Sequence, residues 1–191
     1  EKWLDMCAAP GGKTAILASL SERSDTVVTA NEIHEARSLL MKKSLKNFDN
    51  IKFTTKDGAL FKDSPETFDR ILLDAPCSGL GSLRRRPESR WRKKPSDLPN
   101  LRGTQEKLLN AALTALKPGG YLAYVTCSPH LAETKLQVER VRDRVKFLDS
   151  RAELNKIARE PLFEETGTGP AWLWPHIHGT DAMFISLMQK L

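Results

Sequence analysis

Apolar residues along this chain fall into short runs separated by stretches of helical spacing. Trp3–Met6 reads as a buried strand, Ala15–Leu20 as a helix, and Thr26–Ala30 as a second strand. Ile33–Asn47 is a predicted helix, with Leu39, Leu40, Leu45 and Phe48 as its core contacts. Ile51–Thr54 and Phe68–Leu73 are the third and fourth strands. Thr104–Leu116 reads as a helix stopped by Lys117-Pro118-Gly119-Gly120. Tyr121–Thr126 is a fifth strand, Leu131–Val141 a helix, Val145–Leu148 a sixth strand and Met183–Met188 the last. Ser150–Gly179 reads as irregular and aromatic, with Trp172 and Trp174. Strands alternating with helices predict an α/β fold with a doubly wound, mostly parallel Rossmann-like sheet. The last strand is expected to pair antiparallel with its predecessor, since no helix is evident between them.

The polar residues that end these runs carry the chemistry. In an open α/β sheet, ligands collect at the carboxyl ends of the strands. Glu32, Asp57 and Asp74 stand at three successive strand ends, Glu32 twenty residues after Gly12. An acid at that offset suits ribose hydroxyls. One such acid is ordinary solvated surface; three in succession favour a nucleoside site. The turn Cys7-Ala8-Ala9-Pro10-Gly11-Gly12-Lys13-Thr14 opens a helix whose first amides face a ligand. It is neither a Walker A loop, which would need Gly at position 7, nor a G-x-G-x-x-G loop. Two further strands stop at a cysteine followed by turn residues: Leu72–Gly81 contains Cys77, and Tyr124–Pro129 contains Cys127. A strand-end cysteine is commonly packing. Two of them, with Asp74 three residues before Cys77, point to covalent chemistry.

Charge adds a partner. The 191 residues carry a net charge of +6. Leu83–Arg102 alone holds Arg84, Arg85, Arg86, Arg90, Arg92, Lys93, Lys94 and Arg102 against Glu88 and Asp97. A charge run is usually a solvated face. Its position directly after the Cys77 turn, with Trp91 inside it, favours contact with RNA phosphates and unpaired bases. Three cysteines are too few for a disulfide framework, so a reducing, cytoplasmic setting is expected. No long apolar run predicts a membrane span, and four histidines without close Cys/His pairing predict no metal. A monomer is expected.

Asp5–Thr14, Asp74–Gly79 and Thr126-Cys127-Ser128 resemble the signature blocks of the Fmu/Sun family of RNA cytosine-5 methyltransferases. Arg84–Arg92 and His178-Gly179-Thr180-Asp181 are most similar to its bacterial 16S ribosomal RNA branch. The resemblance implies a class I fold using S-adenosyl-L-methionine, with cofactor contacts from Cys7, Ala8, Ala9, Pro10, Gly11, Gly12, Lys13, Glu32, Asp57 and Asp74. It implies Cys127 as the nucleophile on cytosine C6 and Cys77 as the residue needed for product release. Asp74 is expected to hold N3, and Lys13 either the cytosine or the thiolate. Arg84, Arg85, Arg86, Arg90, Trp91 and Arg92 are the expected RNA contacts. Residues 1–191 read as the catalytic domain of a longer protein whose N-terminal RNA-binding region is absent. Two rivals stand beside this reading. A DNA cytosine-5 methyltransferase would use Cys77 as nucleophile, and a non-catalytic RNA-binding ribosome assembly factor would need neither thiol.

Overall fold

A computed structural model describes all residues of 1–191 except Arg23. Lys2–Asp5 forms β1, followed by α1 (Gly12–Ser21), β2 (Val27–Asn31), α2 (Glu35–Ser44), β3 (Ile51–Thr54) and β4 (Phe68–Asp74). Then come α3 (Ser89–Arg92), α4 (Leu98–Ala115), β5 (Leu116–Thr126), α5 (Lys135–Val138), β6 (Val145–Phe147), α6 (Ser150–Ile157), β7 (Ala171–Leu173), α7 (Pro175–His178) and β8 (Met183–Lys190). The chain divides into two compact units. The fold is α/β with a mostly parallel sheet whose last strands are antiparallel.

The first unit comprises residues 1–74, 107–122 and 190. Its strands run in the order β3-β2-β1-β4-β5. β1 sits between two parallel partners, Leu4 opposite Thr29 on one side and Ile71 on the other. Leu4, Val28, Ala30 and Leu73 are wholly buried, as expected of strands covered on both faces. α2 lays a stripe of Ser38, Met41 and Leu45 on the core beside Ala8, Ala9 and Ala30. A Ser38–Thr55 hydroxyl contact of 2.7 Å fixes that rotation. Leu39 and Leu40 therefore face outward, 60% and 64% exposed, contrary to the sequence expectation. Leu45 is a core residue as expected, and Phe48 packs against the same cluster.

The second unit comprises residues 75–106, 123–189 and 191. Here the order is β5-β8-β6, with β7 pairing antiparallel to β8. Several predicted boundaries move. α4 starts at Leu98 rather than Thr104, because Pro99 falls in its first turn, where a missing N–H costs nothing. Leu116–Gly120 belongs to the strand, not to a stop, with Gly119 at φ +75°. The expected helix over Leu131–Val141 is broken at Thr134, whose φ of −128° and ψ of −107° leave helical space. Ser150–Gly179 is not irregular throughout: Asp149 caps α6 by accepting from Ala152 N at 2.9 Å, and β7 and α7 follow.

The rotation of α2 gives a direct test. Met41→Ala should cost about 2–5 kcal/mol by chemical denaturation. Leu39→Ala, exposed on the same helix, should stay within about 0.5 kcal/mol. Equal losses would contradict the assigned face.

Candidate active site

The first unit gathers its polar groups at the carboxyl ends of β1, β2 and β4. After β1 the chain turns tightly: Ala8 N donates to Asn31 O at 2.8 Å and Gly11 N to Ala8 O at 2.8 Å. Gly11, at φ +109°, occupies backbone space that favours glycine, and it opens α1 with no side-chain cap. The first amides of α1 therefore lack a capping side chain. Glu32 is buried; its carboxylate accepts from His34 N at 2.9 Å and pairs with Arg37 at 3.3 Å. Arg37 also donates to Ala9 O at 2.8 Å, tying the acid to the glycine turn. Asp57 accepts from Ala59 N at 2.9 Å and caps the turn that follows it. Lys13 pairs with Asp74 at 2.7 Å.

Two residues of this turn behave differently from their neighbours. Burial, followed by the negative charges of Asp5, Asp74 and Glu32, pushes the Cys7 thiol up to about 12. It is thus a neutral packing group at pH 7. Burial likewise raises Asp5 to about 6, against the opposing hydrogen bond from Thr14 Oγ1 at 2.7 Å. Asp5 Oδ1 is buried with no partner. Uncapped helix amides, two strand-end acids and an unmatched buried acceptor fit a polar nucleoside ligand such as S-adenosylmethionine.

The second unit contains the two thiols. Ala75 N donates to Val125 O and Gly81 N to Cys127 O, both at 2.9 Å, so the turns leaving β4 and β5 stay side by side. Cys77 Sγ and Cys127 Sγ lie 3.5 Å apart and are not joined as a disulfide. The hydrogen bond with Cys127, and then burial, push the Cys77 thiol far up. Either sulfur can donate across this contact. A Cβ on Gly81 would meet Ala182 O at 2.0 Å and the Cys127 carbonyl at 2.9 Å, so only glycine fits that approach. Each cysteine is followed by a serine, and both hydroxyls donate to buried Glu133 at 2.6 Å. Sequence reading gave Glu133 no role, leaving it inside the helix expected over Leu131–Val141. Its spacing from Cys127, inside a segment rich in Ser, Pro and His, was the available signal.

The basic stretch is only partly open to a ligand. Arg85 forks onto Asp181, with Nε at 2.9 and 3.1 Å from its two oxygens, and holds that carboxyl below the usual range. Arg84 donates to Gly179 O at 3.2 Å. Arg86, Arg90 and Arg92 are exposed. Trp91 is 82% exposed, with the Arg90 guanidinium 5.5 Å from its ring centre. Beside the two thiol turns lies a cavity of about 370 Å³, lined by Ser78, Leu80, Leu98, Leu101 and His130, with Lys93 and Lys94 among its walls.

Asp5 makes stability depend on pH. Its folded pKa lies above the unfolded value, so the native state favours the protonated acid. Its contribution is fully present below about pH 4 and is lost as pH rises through about 6. The loss should be on the order of 2–3 kcal/mol. Asp5→Asn should flatten that part of the stability profile in urea melts run from pH 4 to 7. An unchanged slope would mean that Asp5 does not titrate there.

The profile of the family described as 16S rRNA methyltransferase RsmB/F matches residues 1–189. A Mycobacterium tuberculosis protein carrying a provisional methyltransferase name is 45% identical over 195 residues, covering 100% of this chain and 41% of the relative. Ribosomal RNA small subunit methyltransferase F of Aeromonas hydrophila is 34% identical, covering 98% of this chain and 40% of the relative. The crystal structure of NSun6 from Pyrococcus horikoshii with SFG superposes with a TM-score of 0.83 at 27% identity, covering 100% of this chain and 49% of that one. The chain thus spans about two fifths of the length of these curated relatives. With residues 1–189 matched, this chain belongs to the 16S rRNA methyltransferase RsmB/F family.

Proposed function

We propose that residues 1–191 are the catalytic domain of an S-adenosylmethionine-dependent RNA methyltransferase that modifies C5 of a cytosine, with 16S ribosomal RNA as substrate. The observation that carries this reading is the 3.5 Å approach of Cys77 to Cys127, a contact that together with burial pushes the Cys77 thiol up. Binding RNA alone would need neither thiol, and a nucleophilic Cys77 would need the proton on the other sulfur.

Cytosine C5 is a weak nucleophile, so the ring must first become electron-rich. The Cys127 thiolate adds to C6, forming an S–C6 bond and driving the C5=C6 electron pair toward C5. Asp74 holds a proton at N3 as the ring gains charge. Lys13 steadies Asp74 through their ion pair. Gly11, Gly12, Glu32 and Asp57 would hold the cofactor, which would supply, from its sulfonium, the methyl group that C5 takes. Once Cys127 is a thioether, the thiol–thiol hydrogen bond that raised Cys77 is gone, and the Cys77 proton passes to solvent. The Cys77 thiolate, or a water it orients, then takes the C5 proton. The C5=C6 bond re-forms and the S–C6 electron pair returns to Cys127.

RNA phosphates would meet Arg86, Arg90 and Arg92, with Trp91 stacking on an unpaired base. Arg84 and Arg85 are already engaged by Gly179 and Asp181, so they shape the loop more than they bind. Replacing Arg90 and Arg92 by Gln should flatten the log–log salt dependence of RNA binding by about 0.7 per phosphate lost. An unchanged slope would place both side chains away from RNA.

The thiols separate the alternatives. Cys127→Ala should form no protein–RNA adduct. Cys77→Ala should methylate once and then stall, giving a slow band on a denaturing gel, whereas the double mutant gives none. An adduct that survives Cys127→Ala but vanishes in Cys77→Ala would overturn the assignment.

A further inference from the structure

One buried carboxylate has no part in the chemistry above. Glu133 is wholly buried in the second unit, and all its neighbours are donors. Oε1 accepts from Ser78 N at 2.8 Å and Gln105 Nε2 at 3.1 Å. Oε2 accepts from the Ser78 and Ser128 hydroxyls, each at 2.6 Å. A carboxylate has room for about four such bonds, so its capacity is filled. Burying an ion without partners would be costly; here each oxygen is matched twice.

The donors are not scattered. Ser78 follows Cys77, and Ser128 follows Cys127. Gln105 reaches across to Pro76 O at 2.9 Å and accepts from Gln137 Nε2 at 3.3 Å. Gln137 in turn donates to Arg102 O at 2.9 Å. Tyr124 OH donates to the Glu133 carbonyl at 2.9 Å, fixing the backbone that presents the acid. One side chain therefore joins both cysteine turns to α4 and to the end of β5.

We propose that Glu133 is a positioning residue that sets the spacing of the Cys77–Cys127 pair by clamping Ser78 and Ser128 to one carboxylate. Why the spacing matters rests on the two-thiol reading; that Glu133 sets it does not. Two turns joined only by backbone would let the sulfurs drift beyond contact, and each thiol would then titrate alone. A shared proton requires contact, and contact requires the clamp. An amide in place of the acid keeps the shape but offers one acceptor oxygen to four donors, and Ser128 Oγ already accepts from His130 N at 3.1 Å.

The test needs neither RNA nor cofactor, so it can fail separately from the methyl-transfer reading. Iodoacetamide alkylation of Cys77 and Cys127 is followed by peptide mass spectrometry across pH in the parent, Glu133→Gln and Ser128→Ala. The charged and titratable groups around the pair are Glu133, Tyr124 and Arg85, and the two variants leave the latter two in place. In the parent, the two thiols should titrate well apart, as a coupled pair. In Glu133→Gln the gap should narrow by about one pH unit or more, and in Ser128→Ala by a smaller amount. Lost stability alone would not move that gap. A folded Glu133→Gln with the parental gap would overturn the proposal. Should Glu133→Gln fail to fold, Ser128→Ala decides: a parental gap overturns the proposal and a narrowed one supports it.

Discussion

Two backbone hydrogen bonds, from Ala75 N to Val125 O and from Gly81 N to Cys127 O, keep the turns leaving β4 and β5 in step. Without them the cysteines would sit on independent loops, and their sulfurs would have no reason to meet. The second bond demands a glycine, because any Cβ at position 81 would enter the backbone of Ala182 and Cys127. Ala182 N closes the arrangement by donating to Gly81 O at 2.9 Å, so the start of β8 braces the same turn. Local chain geometry thus brings the two thiol turns side by side, and there the sulfurs come within 3.5 Å of each other.

The strand-end chemistry of the first unit follows from burial in the same way. Asp5, Glu32 and Asp74 are acids of similar intrinsic strength, yet they meet different partners. Glu32 has Arg37 and a backbone amide, and Asp74 has Lys13. Asp5 has the Thr14 hydroxyl on one oxygen and an unmatched buried oxygen on the other, and burial raises its pKa. The arginine run shows the complementary case. Arg85 is paired with a nearly buried Asp181, whereas Arg86, Arg90 and Arg92 around Trp91 are exposed.

Much of this was legible in the sequence because strand ends are marked by abrupt changes from apolar to polar residues. Cys77, Cys127 and the three acids all stand at such changes, and β1 to β4 lie within a residue or two of their expected positions. What the pattern could not give was rotation and capping. Leu39 and Leu40 look like core residues until Ser38 turns its hydroxyl to Thr55. Pro99 reads as a breaker until it falls in a first helical turn. Glu133 looks like surface charge because helical spacing takes no account of the distorted Thr134 that folds it inward. Ser38 and Glu133 answer to partners far away in the sequence, Thr55 and Ser78, whereas Pro99 answers to its place in its own helix.

The central claim is that Cys127 attacks and Cys77 serves release. RNA carrying 5-fluorocytosine tests it most directly, since a fluorine at C5 cannot leave as a proton does and the adduct cannot resolve. The parent protein, incubated with that RNA and S-adenosylmethionine and then digested, should yield one nucleotide-bearing peptide, attached through Cys127. Attachment through Cys77 would contradict the account.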